Sequence, residues 1–211
     1  MPQADRGVLP PSTFEPDTCG GMSDDPYLYP GTDVLRNIAG IRDPAALEQF
    51  ERMAVLQRSR EELPDAVDIS VAGYRMIHRH LFQDVYDWAG QDRTVNISKG
   101  EHTFCLAPYI GVHLQQRFAA IASENGLKNL STPQFAARAA HHICELNAVH
   151  PFREGNGRVQ RLFLKFLTAQ AGHCLNLQYI RPEAWLEASK ESFGTGDCRL
   201  MQAIIADAII T

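Results

Sequence analysis

The sequence predicts an all-α helical bundle that carries one small β-hairpin. Three observations lead there. Apolar residues recur at helical spacing through most of the chain, Pro and Gly punctuate those runs at their ends, and a single stretch near residues 94–105 has β-type composition. At 211 residues the chain fits one domain with a real core, and its 45% hydrophobic and 21% charged residues are ordinary for a globular protein.

Taken in order, residues 1–25 are rich in Pro, Gly, Asp and Ser and read as a flexible tail, leaving 26–211 as a single domain. The segment PYLYPGTDVLRN supplies Tyr27, Leu28, Tyr29 and Val34, apolar enough to dock on that domain. Asp43-Pro44 is a helix start, a capping carboxylate followed by proline at the first helical position. Leu47, Phe50, Met53, Ala54 and Leu56 then mark an amphipathic helix to about Glu62, stopped by Pro64. A second helix is expected from about Ile69 to Trp88, ended by Gly90. Thr94–Ile97 and His102–Cys105 flank Lys99-Gly100 as a hairpin signature. Helical pattern resumes over Pro108–Ser123. It returns after Thr132-Pro133, where Phe135, Ala139, Ile143, Leu146 and Val149 share a face up to Pro151. A further helix begins around Gly157 with Leu162, Phe163, Phe166 and Leu167 inward, and Asp197 caps a last one through Ile209.

The formal charge of -5 argues against a broad phosphate-backbone binder, so no direct nucleic-acid partner is expected. Five scattered cysteines without a CxxC pair exclude a disulfide framework or structural zinc site and favour a reducing compartment. No signal peptide and no bilayer-length apolar run are visible, which predicts a cytoplasmic protein with no membrane partner. His141, His142 and Glu145 do not converge on one face, so satisfied histidines are expected rather than a metal site. His78 and His80 diverge for the same reason.

The chemistry concentrates in residues 150–161, HPFREGNGRVQR. Gly155-Asn156-Gly157 at a helix mouth can aim successive backbone N–H groups at one point, where the helix dipole also favours an anion. Arg158 and Arg161, three apart, can reach one polyphosphate. Glu154 is the lone carboxylate of a basic loop, suited to holding magnesium beside phosphates. His150 is a suitable general base for a hydroxyl near neutral pH, and Phe152 would anchor the loop. Each part alone has a bland structural explanation; together they fill one short loop with little left over.

HPFREGNGRVQR resembles the Fic family motif, H-x-F-x-[D/E]-G-N-G-R-x-x-R, at every defined position. The resemblance extends through YLYPGTDVLRN, LFQDVYDWAGQDRTVNISKG and ELNAVHPFREGNGR, and is strongest to small bacterial FicT toxins. It implies the Fic fold and transfer of AMP from ATP to a Ser, Thr or Tyr hydroxyl of a protein, with Mg²⁺ as cofactor. By that likeness His150 is the base and Glu154 the metal ligand, with Gly155 and Gly157 supplying loop amides. Asn156, Arg158 and Arg161 would orient the α-, β- and γ-phosphates. The hairpin becomes a flap on which a target segment adds by β-augmentation. Lys99 and Gly100 would then lie near the phosphates, and Ile97 and Phe104 would clamp the target or simply pack the hairpin. The family's inhibitory pattern [S/T]-x-x-x-E-[G/N], whose glutamate would meet Arg161, does not occur in this sequence. The implied partners are a small antitoxin acting in trans and a target of the type II topoisomerase class, DNA gyrase or topoisomerase IV. A Doc-like kinase and a catalytically silent interaction domain are the competing expectations.

Overall fold

The computed structural model describes residues 25–99 and 102–210; the expected tail, apart from Asp25, and Gly100 lie outside them. Within them the chain forms seven α-helices and two very small antiparallel sheets. The all-α expectation holds.

Helix α1, Pro44–Arg58, starts where the Asp43 carboxylate accepts the Ala46 N–H at 2.8 Å. Its expected apolar face is only partly used. Leu47 and Val55 are buried, whereas Met53 is 60% exposed and Leu56 44%, because α1 lies on the outside of the bundle and packs chiefly along α2.

Helix α2, Val71–Phe82, is capped by Ser70, whose hydroxyl accepts the Gly73 N–H at 3.0 Å. It ends six residues before the expected Trp88. The chain turns instead, with the Val85 and Tyr86 amides both donating to the Phe82 carbonyl at 2.9 Å. That turn stacks Tyr86 on Trp88 with ring centroids 4.3 Å apart and buries Phe82 completely. Burying rings at roughly 2–3 kcal/mol each outweighs continuing a helix whose added hydrogen bonds are worth about 1 kcal/mol net.

The expected hairpin is present but shorter. Strands β1, Ser98–Lys99, and β2, His102–Thr103, pair Ser98 with Thr103 and Lys99 with His102. A 3₁₀ turn at Ala107–Tyr109 leads into α3, Ile110–Ser123. Helix α4, Thr132–Val149, runs through the middle of the molecule against α3, α5, α6 and α7. Fully buried Ala136, Ala139 and Ala140 let neighbouring helices approach it closely. Helix α5, Asn156–Gln170, returns beside α4 with Phe163, Leu164 and Leu167 buried.

Three C-terminal features were not foreseen. Strand β3, Cys174–Leu175, precedes helix α6, Pro182–Thr195, which opens with proline at its first position. Helix α7, Arg199–Ala208, has Cys198 rather than the expected Asp197 at its N-cap; Asp197, one residue earlier, accepts the Arg199 N–H at 2.9 Å. The last expected helical residue, Ile209, instead begins β4, Ile209–Ile210, which pairs with β3. No described helix is long and apolar enough to cross a membrane.

Candidate active site

The site is the turn between α4 and α5, and its shape is enforced from several directions. His150 ends α4 in the left-handed region, φ 46° and ψ 61°, a conformation that costs a non-glycine residue on the order of 1 kcal/mol or more. Buried Arg93 holds it there. Its guanidinium donates to the His150 carbonyl at 2.9 Å, to Val95 at 2.7 Å, and to the carbonyls of Cys105 and Val149. The Arg93 N–H adds a bond to the Pro151 carbonyl at 2.8 Å. One side chain thus ties the root of the hairpin to the end of α4.

The loop is closed by Asn156 and His78. Asn156 donates through Nδ2 to the Phe152 carbonyl at 2.7 Å and accepts the Phe152 N–H at 3.0 Å. Its side-chain amide thereby bridges both ends of the loop, and the residue still borders the cavity. His78 is fully buried between Phe152 and Phe82, with centroids 4.0 and 4.7 Å away. Its Nδ1 accepts the Gly90 N–H at 2.8 Å, so Nε2 carries the proton and donates to the Glu154 carbonyl at 3.1 Å. Burial pushes this imidazole down to about 3, which keeps it neutral. Gly155 then takes φ 83° with Phe82 directly beneath; a Cβ would lie 2.2 Å from the ring. Only glycine fits that approach.

Beyond Gly155, the Asn156 and Gly157 amides open α5 without intrahelical acceptors, and both residues line the cavity, as an anion nest requires. The His150 ring lies on Phe104, centroids 3.9 Å apart and 23° from parallel, and Phe104 is backed by Phe193 of α6 at 4.4 Å. Phe104 is 7% exposed. It packs the His150 ring in place and borders the cavity, in keeping with the expectation that it packs the hairpin. His150 Nδ1 is 3.2 Å from the Asn147 carbonyl, which requires the proton on Nδ1 and leaves the Nε2 lone pair unused. Burial lowers its pKa to about 4, with the charges of Arg93 and Lys99 acting the same way and the Asn147 carbonyl opposing. The histidine is a neutral acceptor at physiological pH.

The charged groups divide in a way spacing did not reveal. Arg158 turns toward α1, donating to Glu51 Oε1 at 2.5 Å and to Glu154 Oε1 at 3.0 Å, with Phe82 under its guanidinium at 4.7 Å. Glu154 Oε1 also accepts the Gly155 N–H at 2.7 Å, whereas its Oε2 has no hydrogen bond among the described residues. That free oxygen on a half-exposed carboxylate suits a magnesium ion, which characteristically takes one or two protein carboxylates plus phosphate oxygens and water. Among the described residues no cluster of three His, Cys, Asp or Glu could hold a metal by itself. Arg161 makes no salt bridge there; burial and neighbouring Arg158 lower its pKa, opposed by Glu183. A half-buried guanidinium without a salt-bridged carboxylate among the described residues is poised for an anion. Arg153, the remaining loop cation, pairs with Asp25 at 2.9 Å.

These residues border a cavity of about 680 Å³. It unites His150, Glu154, Gly155, Asn156, Gly157, Arg158 and Arg161 with Lys99 and Phe104 from the hairpin. Ile97 is half-buried, does not border it, and accepts the Phe104 N–H through its carbonyl at 3.2 Å. The opposite wall is α6, with Trp185, Leu186, Ser189 and Lys190, which sequence reading missed entirely. Proline at its first position, with Trp185, Ala188, Ser189 and Ser192 at helical spacing, was the available signal. Gln160 Oε1, Trp185 Nε1 and Ser189 Oγ are buried along this side without partners among the described residues. Two further histidines have structural partners: His142 meets Glu124 at 3.0 Å and His80 meets the Arg58 carbonyl at 2.9 Å.

Comparison with known proteins adds a name to this geometry. Residues 68–168 match the model of the Fic/DOC family. The chain is 45% identical over 183 residues to "Probable protein adenylyltransferase y4lH" of Sinorhizobium fredii, covering 86% of this chain and 94% of that one. The chain belongs to the Fic/DOC family. It is also 40% identical over 190 residues to "Probable protein adenylyltransferase Fic" of Escherichia coli K12, covering 90% and 94% of the two chains. Among solved structures, the BepC effector protein of Bartonella tribocorum with bound AMPPNP aligns with a TM-score of 0.81 and 30% identity, over 87% of this chain and 96% of that one. The Fic motif resemblance of residues 150–161 thus sits within an alignment that spans almost the whole described domain.

Proposed function

We propose that this chain is a protein adenylyltransferase, moving AMP from ATP to a hydroxyl group of a protein and releasing pyrophosphate. The observation that carries this reading is the neutral His150, held with Nε2 free beside the unpaired amides that open α5. In the reaction Nε2 takes the proton of the target hydroxyl as its oxygen attacks the α-phosphorus. The bond from that phosphorus to the α–β bridging oxygen breaks, and pyrophosphate leaves with the electron pair. The Asn156 and Gly157 N–H groups stabilise charge on the phosphoryl oxygens, and Arg161 holds the far end of the polyphosphate. Glu154 would hold Mg²⁺, which when bound supplies charge neutralisation across the phosphates. The relatives' names and the AMPPNP bound to BepC support the nucleotide assignment.

The finer role rests on resemblance. The chain acts as a cytoplasmic toxin, restrained by a small antitoxin whose inhibitory glutamate meets Arg161, and its target is a type II topoisomerase subunit. The sequence has no [S/T]-x-x-x-E-[G/N] segment, and Arg161 makes no salt bridge among the described residues, which supports an inhibitor in trans. Expression without a partner should arrest growth of a bacterial host; normal growth with active enzyme would contradict the toxin role. Incubation with a protein extract and ATP labelled at the α- or γ-phosphate tests the chemistry. Protein label from the α position is expected. Label from the γ position would indicate a kinase, and none from either an interaction domain.

A further inference from the structure

We infer that Glu51, on α1 and 107 residues from its partner Arg158, is a positioning residue for the carboxylate of Glu154. The inference rests on the proposed nucleotide and metal reading of Glu154 and extends it to a part of the chain that the motif does not include.

The contacts form a relay. Tyr86 donates its hydroxyl to Glu51 Oε2, while Glu51 Oε1 accepts from Arg158 NH1 at 2.5 Å. Arg158 NH2 in turn donates to Glu154 Oε1 at 3.0 Å. Both oxygens of Glu51 are thereby used, and its side chain is 12% exposed. The Phe82 ring lies under the guanidinium at 4.7 Å, so Arg158 is bounded by two carboxylates and an aromatic face.

Glu154 differs. Its side chain is 43% exposed, and a carboxylate at that exposure normally samples several rotamers. Here Oε1 is pinned by Arg158 and by the Gly155 N–H, leaving Oε2 as the oxygen available to a ligand. Removing the negative charge of Glu51 would release Arg158 from α1. The guanidinium would then be free to close fully on Glu154 and compete for Oε2. Glu51 therefore does two things through Arg158: it fixes which oxygen of Glu154 is presented, and it draws positive charge away from the position where a divalent cation would sit. Arg158 consequently serves as a strut between α1 and the loop as well as a wall of the nucleotide cavity.

The test uses the full chain and a non-hydrolysable ATP analogue, adenylyl imidodiphosphate, with binding followed by calorimetry in excess Mg²⁺ and again in EDTA. Glu51→Gln keeps the side-chain shape and removes the charge. It should weaken binding in Mg²⁺ about tenfold while changing binding in EDTA by less than about twofold. Tyr86→Phe removes one hydrogen bond to Glu51 and should show the same split at about threefold. It decides the matter if Glu51→Gln does not fold, as thermal unfolding without ligand will show. A merely structural role would lower the unfolding temperature and shift both affinities together. That result, or unchanged affinities in both variants, would overturn the inference. A native chain whose binding is indifferent to Mg²⁺ would instead remove the metal reading on which it stands.

Discussion

At the residue scale the proposed reaction depends on one imidazole kept neutral. His150→Ala should abolish transfer of α-label to protein, while the fold survives because Arg93 holds the backbone of residue 150 rather than its ring. A variant that unfolds or keeps its activity would contradict that division. The pH profile follows from burial, which lowers His150 to about 4. With kcat/KM measured on the free enzyme, activity should stay level from neutral pH down through 6.5, where an ordinary histidine would already be half protonated, and fall only as pH approaches about 4. A midpoint near 6.5 would show that the ring is solvated. The residues of this loop were legible because they are contiguous: base, acid, nest and arginines lie within residues 150–161. Their supports were not. His78 lies 76 residues from Glu154, Arg93 57 from His150 and Glu51 107 from Arg158, and none belongs to a local pattern.

At the element scale the turn between α4 and α5 is set by close approach. Gly155→Ala would place a Cβ 2.2 Å from the Phe82 ring at a φ of 83°. Urea unfolding should show a loss of about 2–4 kcal/mol, since strain at positive φ and overpacking of a buried ring act together. A loss under about 0.5 kcal/mol would mean the ring can move aside. The hairpin is a second case. Two residues per strand cannot hold a sheet, and its root is carried by Arg93, whose guanidinium also bonds the Val95 and Cys105 carbonyls. Arg93→Met should raise hydrogen exchange at residues 95–105 by at least about tenfold relative to α5 and weaken transfer, because buried carbonyls lose a charged donor. Equal exchange in both regions would place the hairpin's stability elsewhere. Position also explains the packing of Phe104. Its side chain belongs to the stack His150–Phe104–Phe193, so its aromatic area is shared between two elements.

At the scale of the whole molecule, two neutral histidines, His78 fully buried and His150 half-buried, make stability depend on pH. His78 and His150 are held at about 3 and about 4 in the folded chain, whereas both titrate near 6.5 when unfolded. The unfolded state therefore binds more protons across that interval. Stability is fully present above about 6.5 and is lost as pH falls toward 4. His150 by itself accounts for roughly 3 kcal/mol of this change. Glu124, held low by Arg138, and Asp84, held low by Arg58, push in the same direction. The urea midpoint should drop steadily from pH 7 to pH 4.5, and a flat midpoint would mean that the imidazoles are not buried in solution.

By itself the sequence determined the helical class, most helix starts and which loop is the candidate site. These are local properties: apolar period, capping side chains and a run of functional residues within twelve positions. It overextended α2 and gave no hint of α6 or of the β3–β4 pair, because there the outcome depends on which distant surface is offered for burial. The tertiary structure also decided that Asn156 closes the loop, that Phe104 stacks on His150, and that Arg158 turns to α1 while Arg161 makes no salt bridge among the described residues. In each case a polar or aromatic group takes the partner that burial brings within reach, and no spacing along the chain encodes that choice.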